Sequence, residues 1–268
     1  MRVHVVSDVH GNAEALARAG DGADALVVLG DLIDFVDYHD HERGIMGSVF
    51  GPDKVAVFAK LRRDQLHGEA AAYARGLWAD LPDARSVVDE AVRTQYKQLF
   101  GVLSGLSVPT YATPGNVDVP ALWSEFAGDG LHMLDGDMVE LGGLRFGFVG
   151  GALLPPGAVI RPNAVFRPYL RTPEDFAASV AALSDVDVLC THVPPDLPEL
   201  TYDVLARRAE VGSAALLDLI RAQSPRWALF GHVHQPLAPR MRVGRTECVN
   251  VGHFQRTRWP YVLELPTG

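Results

Sequence analysis

The chain has 268 residues, a formal charge of −9, 48% apolar residues and 21% charged ones. That length buries a real core as one large domain or two small ones. The acidic balance argues against binding nucleic acid by bulk charge, yet leaves phosphate ligands open, because bound divalent cations reverse the field of an acidic site. Apolar runs such as Ala25–Leu29 are strand-length rather than membrane spans. Arg2 is followed by only four mainly apolar residues before Ser7-Asp8, so no signal peptide is read and a cytoplasmic location is the expectation. Cys190 and Cys248 each lie in an apolar run and read as buried, reduced thiols.

In chain order, Val3–Val6 is a β-branched run followed by Ser7-Asp8-Val9-His10-Gly11-Asn12. An alanine-rich helix is expected from Ala13 to Ala19, then a second strand over Ala25–Leu29 that ends at Gly30-Asp31. Strand, helix, strand predicts a parallel βαβ unit. From Phe35 to Ser107 strand signals are scarce. Val88, Val92, Tyr96, Leu99 and Leu103 mark one face of a helix, and Val55, Phe58, Leu61, Leu66, Tyr73 and Leu77 suggest one or two more. Residues 37–107 are therefore expected as a helical insertion within a single domain over 1–268. Cap, partner surface and extra packing on the main core all fit it.

Strand character returns at Val108–Ala112 and ends at Thr113-Pro114-Gly115-Asn116, with a helix start at Asp118 and Pro120. Gly142-Gly143 between Met138–Leu141 and Leu144–Val149 signals a hairpin. A loop rich in proline and arginine runs from Gly150 to Pro173. Beyond it come an expected helix (Glu174–Leu183), a strand running into His192, a helix (Ser213–Gln223) and a strand, Trp227–Phe230, running into Gly231-His232. Strand-like pieces lie near Arg240–Val243, Glu247–Val251 and Tyr261–Leu265.

The chemistry gathers where strands end. Asp8 and His10 follow the first strand, Asp31 and Asp34 the second, Asn116 and Asp118 the third, then His192, then His232 and His234. In open α/β sheets, ligand sites lie outside the carboxyl ends of strands. Two residues at period two point to one side of an extended segment, so Asp8 and His10 can reach one ion, as can His232 and His234. Carboxylates, imidazoles and one amide suit Mn2+, Fe or Zn2+ better than Ca2+. Each piece alone has a bland explanation: a chance Asp-x-His, a turn at Gly115-Asn116, a helix cap at Asp31. Their joint occurrence in this order is what argues for a metal site.

These blocks resemble the calcineurin-like metallophosphoesterase family, whose ordered signature is Asp-x-His, Gly-Asp-x-x-Asp, Gly-Asn-His-Asp/Glu, a His, and Gly-His-x-His. Here they read Asp8-Val9-His10, Gly30-Asp31-Leu32-Ile33-Asp34, Gly115-Asn116-Val117-Asp118, His192 and Gly231-His232-Val233-His234. The resemblance implies an α/β fold, a four-layer α/β/β/α sandwich, and two divalent metal ions drawn from Mn2+, Fe2+/Fe3+, Zn2+ or Ni2+. It implies that Asp8, His10, Asp31 and His234 hold one ion and Asp31, Asn116, His192 and His232 the other, with Asp31 shared and Asp34 orienting the shell. Two cations roughly 3.5–4 Å apart would clamp phosphoryl oxygens and activate a bridging water for in-line attack.

The departure is Val117, where relatives commonly carry a histidine that assists the leaving group. Asp118, His253, His39 and His41 are the catalytic groups that remain as candidates, and Arg161, Arg167, Arg171 and Asn12 the substrate-binding ones. The expected activity is hydrolysis of a small, nucleotide-like phosphoester, with a diester favoured. A phosphomonoesterase or nucleotide phosphatase of the same fold is the first alternative. A non-catalytic scaffold is the second, although such drift tends to lose ligands and none is lost here. Neither membrane nor nucleic acid is an expected partner, and the helical insertion is a candidate homo-oligomer surface.

Overall fold

Short strands of almost unbroken apolar character can be buried on both faces, and that is what the chain builds. The computed structural model describes residues 1–159 and 164–266. β1 (Arg2–Val6), α1 (Ala13–Leu16) and β2 (Ala25–Val28) come first. α2 (Gly44–Phe50), α3 (Pro52–Arg63), α4 (His67–Ala79) and α5 (Ala84–Ser104) follow. β3 (Thr110–Ala112), a 3-10 helix over Pro120–Phe126, and β4 (Leu131–Met133) lead to β5 (Met138–Leu141) and β6 (Leu144–Val149). The middle of the chain holds β7 (Ala152–Leu153), β8 (Leu170–Arg171), α6 (Pro173–Ala182) and β9 (Val188–Thr191). α7 (Pro198–Thr201), β10 (Tyr202–Asp203), β11 (Arg208–Ala209), α8 (Ala214–Gln223) and β12 (Trp227–Phe230) come next. β13 (Arg240–Val243), β14 (Thr246–Asn250), α9 (Phe254–Thr257) and β15 (Tyr261–Glu264) close the chain.

One sheet has the order β15-β1-β2-β3-β4, parallel except for β15. The other has the order β13-β14-β12-β9-β6-β5, with a parallel centre and antiparallel edges. The expected βαβ pairing of β1 with β2 is present. So is the β5–β6 hairpin, whose Gly142 and Gly143 both take positive φ (58° and 76°), as a type I′ turn requires.

Alternation along each strand divides the core. Val3, Val5, Val27 and Leu29 meet Phe146, Phe148, Val188, Cys190 and Leu229 in one apolar cluster. Val6, Leu26 and Val28 face α1 and α5 in a second, and Leu189, Ala228 and Cys248 face α6 and α8 in a third. The two cysteines are free and buried in different clusters, as small hydrophobes.

The long departure after β2 is not uniform. Val88, Val92, Tyr96, Leu99, Phe100 and Leu103 of α5 are all buried in the main core. Each such side chain contributes about 1.5–3 kcal/mol of burial. That apolar face of α5 is therefore covered by the chain's own core. α2, α3 and α4 keep a small cluster of their own around Met46, Val55 and Leu77. α1 is shorter than expected, ending at Leu16 rather than Ala19.

Candidate metal centre

The parallel strands release their loops at one edge, and those loops interlock through backbone bonds. Asp8 N–H donates to Gly30 O (3.1 Å), His10 N–H to Asp31 O (2.9 Å) and Gly231 N–H to His192 O (3.0 Å). Asp8, His10, Asp31 and His232 all sit at positive φ (57°, 41°, 52° and 66°). Non-glycine residues there cost of order 1–3 kcal/mol each, and such strain clusters at functional sites. Glycine is required where loops cross. A Cβ on Gly231 would fall 1.9 Å from Ser7 Oγ, and one on Gly30 would fall 2.2 Å from Gly115 N.

The side chains then converge. His10 Nε2 and His234 Nε2 lie 3.3 Å apart. Asp8 Oδ1 is 3.2 Å from His234 Nε2 and 3.8 Å from His10 Nε2, while Asp31 Oδ2 is 3.8 Å from His10 Nε2. On the other side of Asp31, its Oδ1 is 3.4 Å from His192 Nε2, which lies 3.0 Å from Asn116 Oδ1. His232 packs edge-on to His192 with ring centroids 5.1 Å apart. His192 Nδ1 faces Leu29 O (2.8 Å) and His10 Nδ1 faces Ile33 O (3.3 Å). Those carbonyls are satisfied by an N–H on Nδ1, so in each ring Nε2 is the nitrogen that faces inward. Asp8 Oδ1 is buried without a partner. Inward-facing imidazole nitrogens crowded against two buried carboxylates fit cations, which accept from both kinds of atom.

Electrostatics follow from this crowding. Burial pushes the Asp31 carboxyl up, but the His192 and His10 imidazoles outweigh it and hold it down at about 2. Burial pushes His192 down, and Asp31 more than offsets that, raising it to about 9. Burial, then the nearby His192, lowers His232 to about 4. Burial also lowers His10.

Other candidates land elsewhere. Asp118, a catalytic candidate by sequence, is enclosed and turned inward. It accepts from Leu32 N–H (3.1 Å), Gly115 N–H (2.8 Å) and Tyr96 OH (3.1 Å). It splices the Asn116 loop to the Asp31 loop and has no path to a substrate. Asn12 is also a structural residue: Oδ1 caps α1 through Ala15 N–H (3.1 Å) and Nδ2 donates to Gln255 O (3.0 Å). Arg167 is exposed and does not line the cavity, Arg171 is buried against Asp135 and Asp175, and Arg161 lies outside the described residues. His41 is half-buried away from the cavity, whereas His39 stands exposed at its rim. His253 is buried beside His234 and His10.

The cavity over the cluster has a volume of about 450 Å³. Phe35, Val36, Val117 and Phe166 give it an apolar wall, and Asp203, Arg208 and Glu210 line another side. No motif in the sequence marked Phe166, Arg208 or Gln255. Gln95 and Tyr96 of α5 were also missed as supports. The Gln95 amide brackets the Asp34 backbone, accepting from its N–H (2.7 Å) and donating to its carbonyl (2.9 Å), and Tyr96 OH accepts from Val119 N–H (2.7 Å).

Asp34 makes no hydrogen bond to the imidazoles it was expected to orient, and its Oδ2 is buried without a partner. Burial and the neighbouring Asp37 raise its carboxyl to about 7. The folded chain thus keeps a proton there that the unfolded chain releases near pH 4, so the contribution of Asp34 to stability falls as pH rises from about 4 to 7. In chelator-treated protein, Asp34→Asn is expected to add on the order of 2 kcal/mol at pH 8 and almost nothing at pH 4. Urea unfolding at both pH values measures this, and an equal effect at the two would refute it.

Residues 1–236 match the family model described as calcineurin-like phosphoesterase. No curated relative matches the sequence. One solved structure is 19% identical, with a TM-score of 0.59 over 95% of this chain and 91% of the other. Another, TT1561 of Thermus thermophilus, is 16% identical, with a TM-score of 0.56 over 97% of each chain. Likeness at that level of identity speaks for the fold. With the family model spanning most of its length, the chain belongs to the calcineurin-like phosphoesterases, and it is a metal-dependent hydrolase of phosphoesters.

Proposed function

We propose that the chain is a phosphodiesterase using two divalent cations, one held by Asp8, His10, Asp31 and His234 and the other by Asp31, Asn116, His192 and His232. The facing Nε2 atoms of His10 and His234, 3.3 Å apart beside the buried Asp8 carboxylate, are the observation that carries the metal site. When bound, such a pair neutralises phosphoryl charge and lowers the pKa of water. Mn2+, Fe2+/Fe3+, Zn2+ and Ni2+ all suit these donors. The reading takes 1–268 as one four-layer domain with 37–107 inserted, acting in the cytoplasm on a small, nucleotide-like ester. No described helix is long and apolar enough to cross a membrane.

Two features favour a diester. Val117 and the enclosed Asp118 supply no proton to a leaving group, leaving His39 at the rim as an exposed imidazole. Asp37, Asp203 and Glu210 line the cavity, and they oppose a monoester dianion more than a diester monoanion. The apolar wall has room for a second esterified group.

The test is hydrolysis of bis-p-nitrophenyl phosphate and p-nitrophenyl phosphate by purified protein with each metal. Faster turnover of the diester is expected. A faster monoester would favour a phosphomonoesterase, and no turnover with any of the four metals would favour a scaffold.

A further inference from the structure

His10 and His234 are joined by a third imidazole that none of the strand-end motifs supplies. His253 follows β14, and its ring stacks on His234 with centroids 3.8 Å apart and planes 19° apart. It meets His10 edge-on at 5.6 Å. One donor nitrogen from each of the three rings lies within 4.8 Å of the other two. His253 is 7% exposed, and its Nε2 is buried without a partner. Asp8 Oδ1, equally unpartnered, is 3.2 Å from the same His234. A buried polar atom left unsatisfied is costly, so the His253 nitrogen calls for a partner. A cation accepts from one nitrogen of each of the three rings together once the His253 ring turns out of its stack on His234.

The position of His253 is fixed by the loop that carries the first ligands. Phe254 N–H donates to Ser7 O (3.0 Å) and Gln255 N–H to Asp8 O (3.0 Å). Gln255 Nε2 donates to His10 O (3.1 Å). The imidazole is thus anchored to the main chain of Asp8 and His10 themselves.

We propose that His253 is a ligand of the cation held at the His10–His234 end of the site. This rests on the two-metal reading above. It makes the ends unequal: three imidazoles with carboxylates at one, and two imidazoles with the Asn116 amide at the other. Imidazole-rich sets suit Zn2+, Fe and Ni2+, whereas oxygen-rich ones suit Mn2+. The His253 end therefore selects the nitrogen-preferring ion, and His253 serves there as a donor atom rather than as a proton source.

The experiment is titration of metal-free, full-length protein with Co2+ and with Mn2+, followed by calorimetry and visible absorbance. Wild type, His253→Gln, His253→Ala and Asp31→Asn are compared, with circular dichroism melts to establish that each is folded. Wild type is expected to bind two Co2+ ions. Both His253 variants are expected to bind one of them at least ~10-fold more weakly, with altered absorption bands and a smaller loss for Mn2+. Wild-type affinities and bands in both His253 variants would overturn the assignment while Asp31→Asn still reported on the two-metal site. A wild type that binds no Co2+ would overturn both.

Discussion

Asp31→Asn is expected to lower kcat by roughly 10²–10³-fold or more and to weaken both bound ions rather than one. Asp31 is the only candidate ligand whose two oxygens face different imidazoles, His192 through Oδ1 and His10 through Oδ2. Its Oδ1 also accepts from Val117 N–H (2.9 Å). Asparagine keeps that backbone bond through its amide oxygen but loses the charge shared between the two ends. Calorimetry on the variant should show both ions weakened, whereas His232→Ala should weaken only the ion beside His192. If Asp31→Asn retains two ions at wild-type affinity, Asp31 is not the shared ligand.

Gly115→Ala is expected to destabilise the fold by about 3 kcal/mol or more, a fall in melting temperature of roughly 6–12 °C at this size. The added Cβ would lie 2.2 Å from Asp31 Oδ1 and 2.3 Å from Asp31 N. The second of these is backbone, so rotating a side chain gives no relief. The Asn116 and Asp31 loops would have to part, and metal affinity should fall with stability. Gly68→Ala is the matched control. It lies in α4 with nothing near its would-be Cβ, and alanine there should leave stability unchanged or raise it by about 0.5–1 kcal/mol. Thermal unfolding of the pair measures the contrast, and similar melting temperatures would show that the loops yield easily.

The candidate ligands were legible because a parallel sheet brings the ends of strands far apart in sequence to one edge. Spacing placed Asp8, Asp31, His192 and His232 just after strands, and the structure brings them together there. The supports were not legible. Asp118 reads as a catalytic acid until Tyr96, 22 residues earlier, is seen donating to it. Asn12 reads as a substrate contact until its amide is found capping α1 and holding Gln255. The α5 stripe was clear as a helix face, but an apolar stripe does not say whether it meets a partner or the same chain. His253 was legible only as a catalytic candidate, since its place beside His10 and His234 depends on backbone bonds to Ser7 and Asp8 from a distant loop.

The left-handed backbone at Asp8, His10, Asp31 and His232 has a kinetic and calorimetric meaning. Bonds between neighbouring loops already hold these residues in shape, so the strain is borne by folding and not by ion capture. Loading then resembles docking into a finished mould. It should bury little new apolar surface and so carry only a small change in heat capacity, with no disorder-to-order transition to slow it.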